Sequence, residues 1–239
     1  MKRKIFLLPI LFLFFYYYPL AFCLEFSSFG GGEIDTQGQG FSFLGVDITQ
    51  KIEKGLCIKA RLVPNYLTYK YKSETRMIRA NSPGVYGLGG LKLEGKNSSI
   101  SMFCGIEYRN TNLNPDKKDA KVRGDTIALL LQGELYYQIF RFTELGFFGS
   151  YSSTDNFFYE KIKIKRQITN LDFKKPNSLH LGLEQFYGRN PDFKMIGLGP
   201  VLEIYNIPKK FSLILRGGYK HDKTFGTEAY GGFEFFKAF

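Results

Sequence analysis

The residues with the clearest potential for chemistry are Ser178 and His180, which are two positions apart. On a β-strand, such side chains project from the same face, so the hydroxyl and the imidazole have the minimum arrangement of a nucleophile and its base. A hydrolase that uses the serine as its nucleophile is one function that this pair suggests. The chain has no GxSxG motif, and His221 falls in the predicted loop from Lys220 to Gly226, so we expect no enzymatic activity.

The three cysteines, at positions 23, 57 and 104, do not form a metal-binding pattern. No CxxC motif and no cysteine–histidine spacing typical of zinc is present, so we predict neither a metal nor a cofactor. Alternation places Cys57 on a polar face and Cys104 on an apolar face of their strands. Because side chains that face opposite ways cannot bring their sulfur atoms together, we expect two free thiols rather than a disulfide.

Charged residues recur at every second position along several segments. They therefore share one face of each predicted strand, and in a membrane barrel that face lines the lumen. The predicted lumen-lining residues are Lys59, Arg61, Glu107, Arg109, Glu134, Lys161, Lys163, Glu184, Glu203 and Arg216, with Lys165, Lys220 and Glu234 beside them. A barrel of about 12 strands is only slightly wider than side chains can fill, which favours a plugged or narrow lumen over an open conduit.

The elements that carry these charges alternate with period two. In residues 56–62, apolar side chains occupy the even positions, and Lys59 and Arg61 occupy odd ones. A soluble β-sandwich also alternates, but runs such as Leu56 to Tyr69 and Gly124 to Tyr137 reach the roughly 9–11 residues that span a bilayer. The fold class predicted is therefore all-β, an antiparallel transmembrane β-barrel of the bacterial outer membrane.

Twelve strands are predicted, with 10 or 14 as alternatives. Their ranges are 27–34, 39–49, 56–70, 84–94, 99–109, 124–138, 143–152, 158–166, 179–187, 194–205, 211–220 and 227–239. Long polar segments, Lys72 to Pro83 and Asn110 to Arg123, are assigned to external loops. The segment from Gln167 to Ser178 is long yet periplasmic, against the usual pattern. Tyrosines near the strand ends suggest interfacial girdles: Tyr66, Tyr69, Tyr71, Tyr108, Tyr136, Tyr137, Tyr151, Tyr205 and Tyr219.

The two ends of the chain suggest export and membrane insertion. A charged segment, Lys2 to Lys4, precedes an apolar stretch and the possible cleavage site at Ala21 to Cys23, which is typical of a signal peptide. The predicted organisation is a signal peptide over 1–23 and an outer-membrane barrel over 24–239. An uncleaved anchor and lipidation at Cys23 are alternatives. The aromatic Phe239 at the end of an alternating strand is predicted to be the insertion signal for the barrel-assembly machinery.

Composition narrows the choice of partners. The chain contains 26 Gly, 25 Phe, 16 Tyr and no Trp, a usage typical of all-β proteins. Removal of a leader that contains three of the 33 basic residues and no acids would lower the net charge from +11 to about +8. The remaining basic residues are spread over strands and loops without a cationic helix or block, so we expect no nucleic acid as a partner. Outer-membrane lipid is the partner expected for the apolar face of the barrel.

Several short motifs carry a family resemblance. They are Gly31-Gly32-Glu33, Gly105-Ile106-Glu107-Tyr108-Arg109, Asn114-Pro115-Asp116, Val122-Arg123-Gly124, Gln132-Gly133-Glu134-Leu135 and Arg216-Gly217-Gly218-Tyr219. The chain resembles the cellulose biosynthesis BcsS family, outer-membrane barrels encoded with bacterial cellulose synthases. The resemblance implies a role in export or surface organisation of cellulose or a similar exopolysaccharide, with the cellulose synthase complex or a glucan as partner.

The resemblance carries over no catalytic residues. Asp116 and Asp119 lie in the predicted external loop, where they could contact a polysaccharide, although solvated loop residues are the favoured interpretation. A structural or adhesive surface barrel without transport is the alternative function, and a lipid hydrolase is the third.

Overall fold

The computed structural model describes residues 24–73, 76–118, 120, 122–169, 177–191 and 193–239. The predicted signal peptide over 1–23, with Cys23, lies outside the described residues, and so does Asp119. No helix of the described part is long and apolar enough to cross a membrane. One short 3₁₀ turn, Thr154–Asn156, interrupts the strands.

Twelve antiparallel strands form one closed barrel, as the alternation predicted. They are β1 (Leu24–Asp35), β2 (Gly40–Glu53), β3 (Leu56–Ser73), β4 (Arg76–Glu94), β5 (Ser98–Asn114), β6 (Gly124–Phe140), β7 (Thr143–Ser152), β8 (Phe157–Thr169), β9 (Asn177–Arg189), β10 (Lys194–Asn206), β11 (Phe211–Asp222) and β12 (Gly226–Ala238). Each strand pairs with its neighbours in sequence, and β1 pairs with β12. The closed ring leaves no strand edge unpaired.

The outer surface is apolar because every second side chain points outward. Ile127 is 75% exposed, Met102 is 70% exposed and Ile106 is 62% exposed, although all three lie within long strands. Such exposure would be costly in water and is favourable in hydrocarbon. The apolar face therefore points to lipid, as predicted, and the polar face points into the barrel.

The two cysteines follow the same alternation. Cys57 is buried on the inner face of β3, and Cys104 is exposed on the outer face of β5. Both are free thiols. The prediction that they do not form a disulfide is confirmed, because one faces the lumen and the other faces lipid.

The prediction of an external loop from Lys72 to Pro83 is wrong. Strands β3 and β4 continue through it as a hairpin, in which Tyr69 pairs with Ala80 and Tyr71 with Ile78. Polar residues such as Lys72 were misleading because this part of the hairpin rises beyond the apolar belt, where a strand can carry polar side chains on its outer face. Strand β5 likewise extends to Asn114, so the following loop is shorter than predicted.

The barrel wall has unequal height. Strands β3 and β4 have 18 and 19 residues, whereas β7 has 10. On the inner face of the tall side, Ile78, Ala80 and Leu113 form a small apolar cluster. Tyr69 and Tyr71 pack against it, so these two tyrosines face inward and do not belong to a lipid-interface girdle.

Two further boundaries differ from the sequence prediction. His221 lies in β11, paired with Thr227 of β12, and not in a loop. The segment from Gln167 to Ser178 is shortened at both ends, because β8 runs to Thr169 and β9 starts at Asn177. The residues between these strands are outside the described part of the chain.

Candidate functional site

The interior of the barrel contains networks of charged residues, and Arg61 of β3 joins several side chains there. Its guanidinium Nε lies 2.8 Å from Asp47 Oδ1, and Nη2 lies 2.9 Å from Asp47 Oδ2. On the far side, Nη1 lies 2.6 Å from Glu134 Oε1 and 3.2 Å from Gln132 Oε1. Glu134 and Gln132 belong to β6, which is three strands away from β3 in the ring. Arg61 therefore reaches across part of the lumen.

Aromatic rings hold the Arg61 guanidinium between these acids. Its Cζ lies 4.8 Å from the centre of the Phe29 ring and 4.4 Å from that of Phe103. Desolvated cation–π contacts of this kind contribute up to about 2 kcal/mol. The Phe29 ring fits there because Gly45 on the adjacent strand has no side chain, and a Cβ at Gly45 would meet the ring at 2.3 Å.

A second ion-pair network surrounds Arg216 of β11. Its guanidinium lies 3.1 Å from Glu234, 3.4 Å from Glu33 and 3.6 Å from Glu184. Glu234 of β12 also contacts two lysines of β8, Lys161 at 2.5 Å and Lys163 at 3.2 Å. Because β8 and β12 are separated by three strands in the ring, these contacts also cross the interior.

Smaller polar clusters lie elsewhere on the inner face of the barrel. Glu107 accepts hydrogen bonds from Arg109 and from Ser152 Oγ, the latter at 2.7 Å. Glu203 contacts Lys165 and accepts a hydrogen bond from Ser212. Every predicted lumen-lining residue thus lies on the inner face, and each of these ten residues forms an ion pair with a residue of opposite charge.

Aromatic rings pack against one another in the interior between the Arg216 network and the end of the barrel away from the chain termini. The rings of Phe186 and Tyr230 meet edge to face with centres 5.2 Å apart, and Tyr159 stacks on Phe186 at 6.2 Å. Phe186 is 1% exposed and sits over Gly197, where a Cβ would lie 2.2 Å from its ring. These three rings therefore fill the part of the interior that lies beside β8, β9 and β12.

Sequence reasoning missed several residues of these networks. Asp47 bonds Arg61 by two hydrogen bonds and was not among the predicted residues. The missed indication was the alternation of β2, in which Val46 and Ile48 point to lipid and Asp47 points inward. The inward aromatics Phe29 and Phe186 were not predicted either, because an apolar residue on a polar face has no evident role until its partner across the barrel is known.

The Ser178–His180 pair lies inside the barrel near its terminal end. Ser178 Oγ is 3.1 Å from His180 Nε2, and both residues are buried. His180 Nδ1 is buried, and no hydrogen-bond partner for it is found in the described part of the chain. A serine hydrolase needs a group at this nitrogen to orient the ring, and the described residues provide none there.

A cavity of about 260 Å³ opens at the end of the barrel where β1 begins and β12 ends. Bacterial barrels with an even strand number have this end in the periplasm, so we call the cavity the periplasmic vestibule. Its lining includes Glu25, Ser27, Thr49, Lys59, Lys92, Ser99, Ser101, Glu134, Tyr136 and Phe236. Glu134 contacts Arg61, and Lys59 lies 2.8 Å from Asp47, the other partner of Arg61, so the Arg61 network forms the floor of the vestibule.

The external loop after β5 contains one ordered ion pair. Arg123 Nε lies 2.6 Å from Asp116 Oδ1, and Nη2 lies 3.0 Å from Oδ2. These hydrogen bonds hold the pKa of Asp116 below its ordinary value. In the same loop, Ala120 and Val122 pack against the apolar cluster on the tall side of the wall.

Solved structures with the same fold are outer-membrane barrels. The β domain of the Bordetella autotransporter BrkA has a TM-score of 0.51 and 11% identity, covering 90% of this chain and 98% of that chain. The COG4313 outer membrane channel from Pseudomonas putida F1 has a TM-score of 0.53 and 8% identity, covering 90% and 95%. At these identities the likeness concerns the fold alone. A comparison with curated protein sequences finds no match.

The closed barrel and its lipid-facing apolar surface place the protein in the bacterial outer membrane. A family model described as cellulose biosynthesis protein BcsS matches residues 25–239, which is nearly the whole described barrel. The chain therefore belongs to the cellulose biosynthesis protein BcsS family.

Proposed function

We propose that the protein is a closed accessory of the cellulose synthesis machinery, and that the polymer does not pass through its lumen. The contact of Arg61 with Glu134 is the observation that carries this proposal, because it joins β3 to β6 through the interior. A glucan chain entering the barrel would have to separate this ion pair and the Arg216 contacts behind it. Separating these partly buried pairs would leave charges inside the barrel without their partners, and the free-energy cost of doing so opposes an open state.

The partners follow from this role. Family membership ties the barrel to cellulose synthesis, and we propose that it binds the synthase machinery from the periplasmic side or the glucan itself. Outer-membrane lipid would cover the apolar belt, and the barrel-assembly machinery would recognise Phe239, whose side chain is 74% exposed. We also propose that the protein has no hydrolase activity, since His180 Nδ1 lacks a carboxylate among the described residues.

Planar-bilayer recording tests the closed lumen. Purified protein inserted into a bilayer is expected to show no steps of conductance, whereas a trimeric porin added to the same chamber provides the positive control. A steady conductance that scales with salt concentration would contradict the proposal and identify an open channel.

Deletion of the gene tests the link to cellulose. We expect lower glucan output or altered organisation of glucan at the cell surface, and restoration by a plasmid copy. A Ser178→Ala copy should restore it equally well if the protein has no hydrolase activity. If deletion leaves the glucan unchanged and lowers binding of cells to surfaces, the adhesive alternative replaces this function.

A further inference from the structure

The periplasmic vestibule differs from the rest of the interior because its inward-facing side chains are open to solvent. Tyr136 of β6 is 40% exposed and Phe236 of β12 is 41% exposed, although both project into the barrel. Deeper inward residues are buried, including Lys59 at 9% and Ser101 at 4%. The two rings therefore stand at the entrance of a cavity whose floor is closed by the Arg61 network.

The lining of the vestibule fits a neutral ligand rich in hydroxyl groups. Four hydroxyl side chains, those of Ser27, Thr49, Ser99 and Ser101, line it. Among the described residues none of these hydroxyls has a hydrogen-bond partner, so they are free to bind a ligand.

The charges of the lining balance. Glu25 and Glu134 are matched by Lys59 and Lys92, and Glu134 and Lys59 are already paired with other residues. A binding site for an anion or a cation would have an excess of the opposite sign. The balanced lining gives no such preference, whereas a sugar can pair with both kinds of charged group and with the hydroxyls.

The size and shape of the cavity suit a short oligosaccharide. Its volume of about 260 Å³ lies just below the usual range for small-molecule sites, about 300–1,000 Å³. A second cleft of about 230 Å³ shares Lys92, Ser99 and Tyr136 with it and continues along the rim. An oligosaccharide can therefore place one end in the vestibule and extend outward past the β4–β5 turn.

We propose that the periplasmic vestibule binds the end of a neutral glucan, with a sugar ring against Tyr136 and its hydroxyls bonded to Ser99 and Ser101. The choice of a glucan rests on the proposed function, while the neutral, hydroxyl-binding character rests on the cavity. Because the floor is closed, the ligand enters and leaves only from the periplasmic end. The barrel thus holds a polymer end and does not transport it.

Calorimetry with the full barrel in detergent micelles tests this proposal. Cellotetraose is the probe, with maltotetraose and a tetragalacturonate as the comparison ligands. Cellotetraose is expected to bind, and Tyr136→Ala is expected to weaken it by about fivefold or more, the equivalent of one or two lost contacts. Tyr137→Ala is the matched control, since Tyr137 is the next residue on β6 and faces outward.

A second variant, Ser99→Phe, fills the vestibule from a half-buried position and should abolish binding. Folding of each variant is checked by its mobility on unheated gels. Absence of cellotetraose binding to the folded protein would overturn the proposal, as would equal binding by Tyr136→Ala, Ser99→Phe and Tyr137→Ala. Stronger binding of the galacturonate would overturn the neutral character of the site.

The outcome is separable from that of the proposed function. If deletion lowers glucan output and cellotetraose does not bind, the vestibule proposal fails and the accessory role stands. If cellotetraose binds at Tyr136 and deletion leaves glucan unchanged, the accessory role fails and the saccharide site stands.

Discussion

At the scale of single residues, Arg61 shows how a charge can be stable in the middle of a membrane protein. Its side chain is 7% exposed, yet its guanidinium contacts two carboxylates and lies close to two aromatic rings. A buried charge that is both paired and hydrogen-bonded avoids most of the desolvation penalty. The same group therefore links β2, β3 and β6 across the interior.

Replacing Arg61 with alanine is expected to lower the free energy of unfolding by about 3 kcal/mol, because Asp47 and Glu134 lose their shared partner. Urea unfolding in lipid vesicles, followed by circular dichroism, measures the change. Arg123→Ala is the control, because its partner Asp116 is exposed, and it should leave the midpoint almost unchanged. Equal stability of Arg61→Ala and wild type would show that the network contributes nothing.

The Asp116–Arg123 pair makes a pH-dependent contribution to the external loop. Its hydrogen bonds hold the pKa of Asp116 below its ordinary value. The stability that the pair contributes is therefore fully present above the unfolded pKa of about 3.9, and it is lost as the pH falls through the lower pKa of the folded state. A carbon NMR titration of the Asp116 carboxyl should show this lowered midpoint. Arg123→Gln should return the midpoint to the ordinary value; an unchanged midpoint would mean that the pair does not form.

At the scale of elements, alternation along each strand determines which residues meet lipid. In β5, Ile106 is exposed on the outer face while its neighbour Glu107 is buried in the lumen. Higher on the same strand, Asn110 and Asn112 also point outward, and they bond to each other at 3.2 Å. One strand therefore crosses from an apolar to a polar environment without a change in its pairing.

Arginine substitutions along β5 test this change of environment. Ile106→Arg should destabilise the barrel by about 2–4 kcal/mol, the cost of an arginine on the lipid face near the midplane. Asn112→Arg, six positions later on the same face, should cost less than about 1 kcal/mol, because it lies beyond the hydrocarbon. Unfolding in vesicles of matched thickness compares the two. Similar costs at both positions would contradict the assignment of the tall wall to the region outside the membrane.

At the scale of the whole molecule, the two networks occupy different parts of the barrel interior. The Arg61 contacts involve β2, β3 and β6, whereas the Arg216 contacts involve β1, β8, β9, β11 and β12. They lie on different parts of the ring, so loss of one leaves the other in place. Closure is thus a property of the complete ring and not of either network.

Combining Arg61→Ala with Glu234→Ala should open an ion path, because both sets of cross-lumen contacts are then lost. Each single variant should remain closed. Planar-bilayer recording distinguishes these cases, and gel mobility confirms that each barrel is folded. If the folded double variant conducts no more than wild type, aromatic residues such as Phe186 and Tyr230 alone are sufficient to block the lumen.

The sequence alone predicted most of the strands and the faces on which their side chains lie. Period-two alternation depends only on the geometry of a single strand, so it predicted the inward Glu107 and Arg109 and the opposite faces of Cys57 and Cys104 without knowledge of neighbours. It was less reliable at strand ends. Lys72 was assigned to a loop because polarity in a short window does not distinguish a loop from a strand that has left the hydrocarbon.

The sequence by itself determined the barrel class and the face on which each charge lies, because alternate side chains of a strand point to opposite faces and the apolar face meets lipid. It left the strand number at 12 with 10 or 14 as alternatives, and the structure decided for 12. Only the tertiary structure decided which charges pair. Arg61 is 73 residues from Glu134 in sequence, and Lys161 is equally far from Glu234. Closure of the ring brings such residues together, and therefore it also decides where the interior is filled and where the periplasmic vestibule stays open.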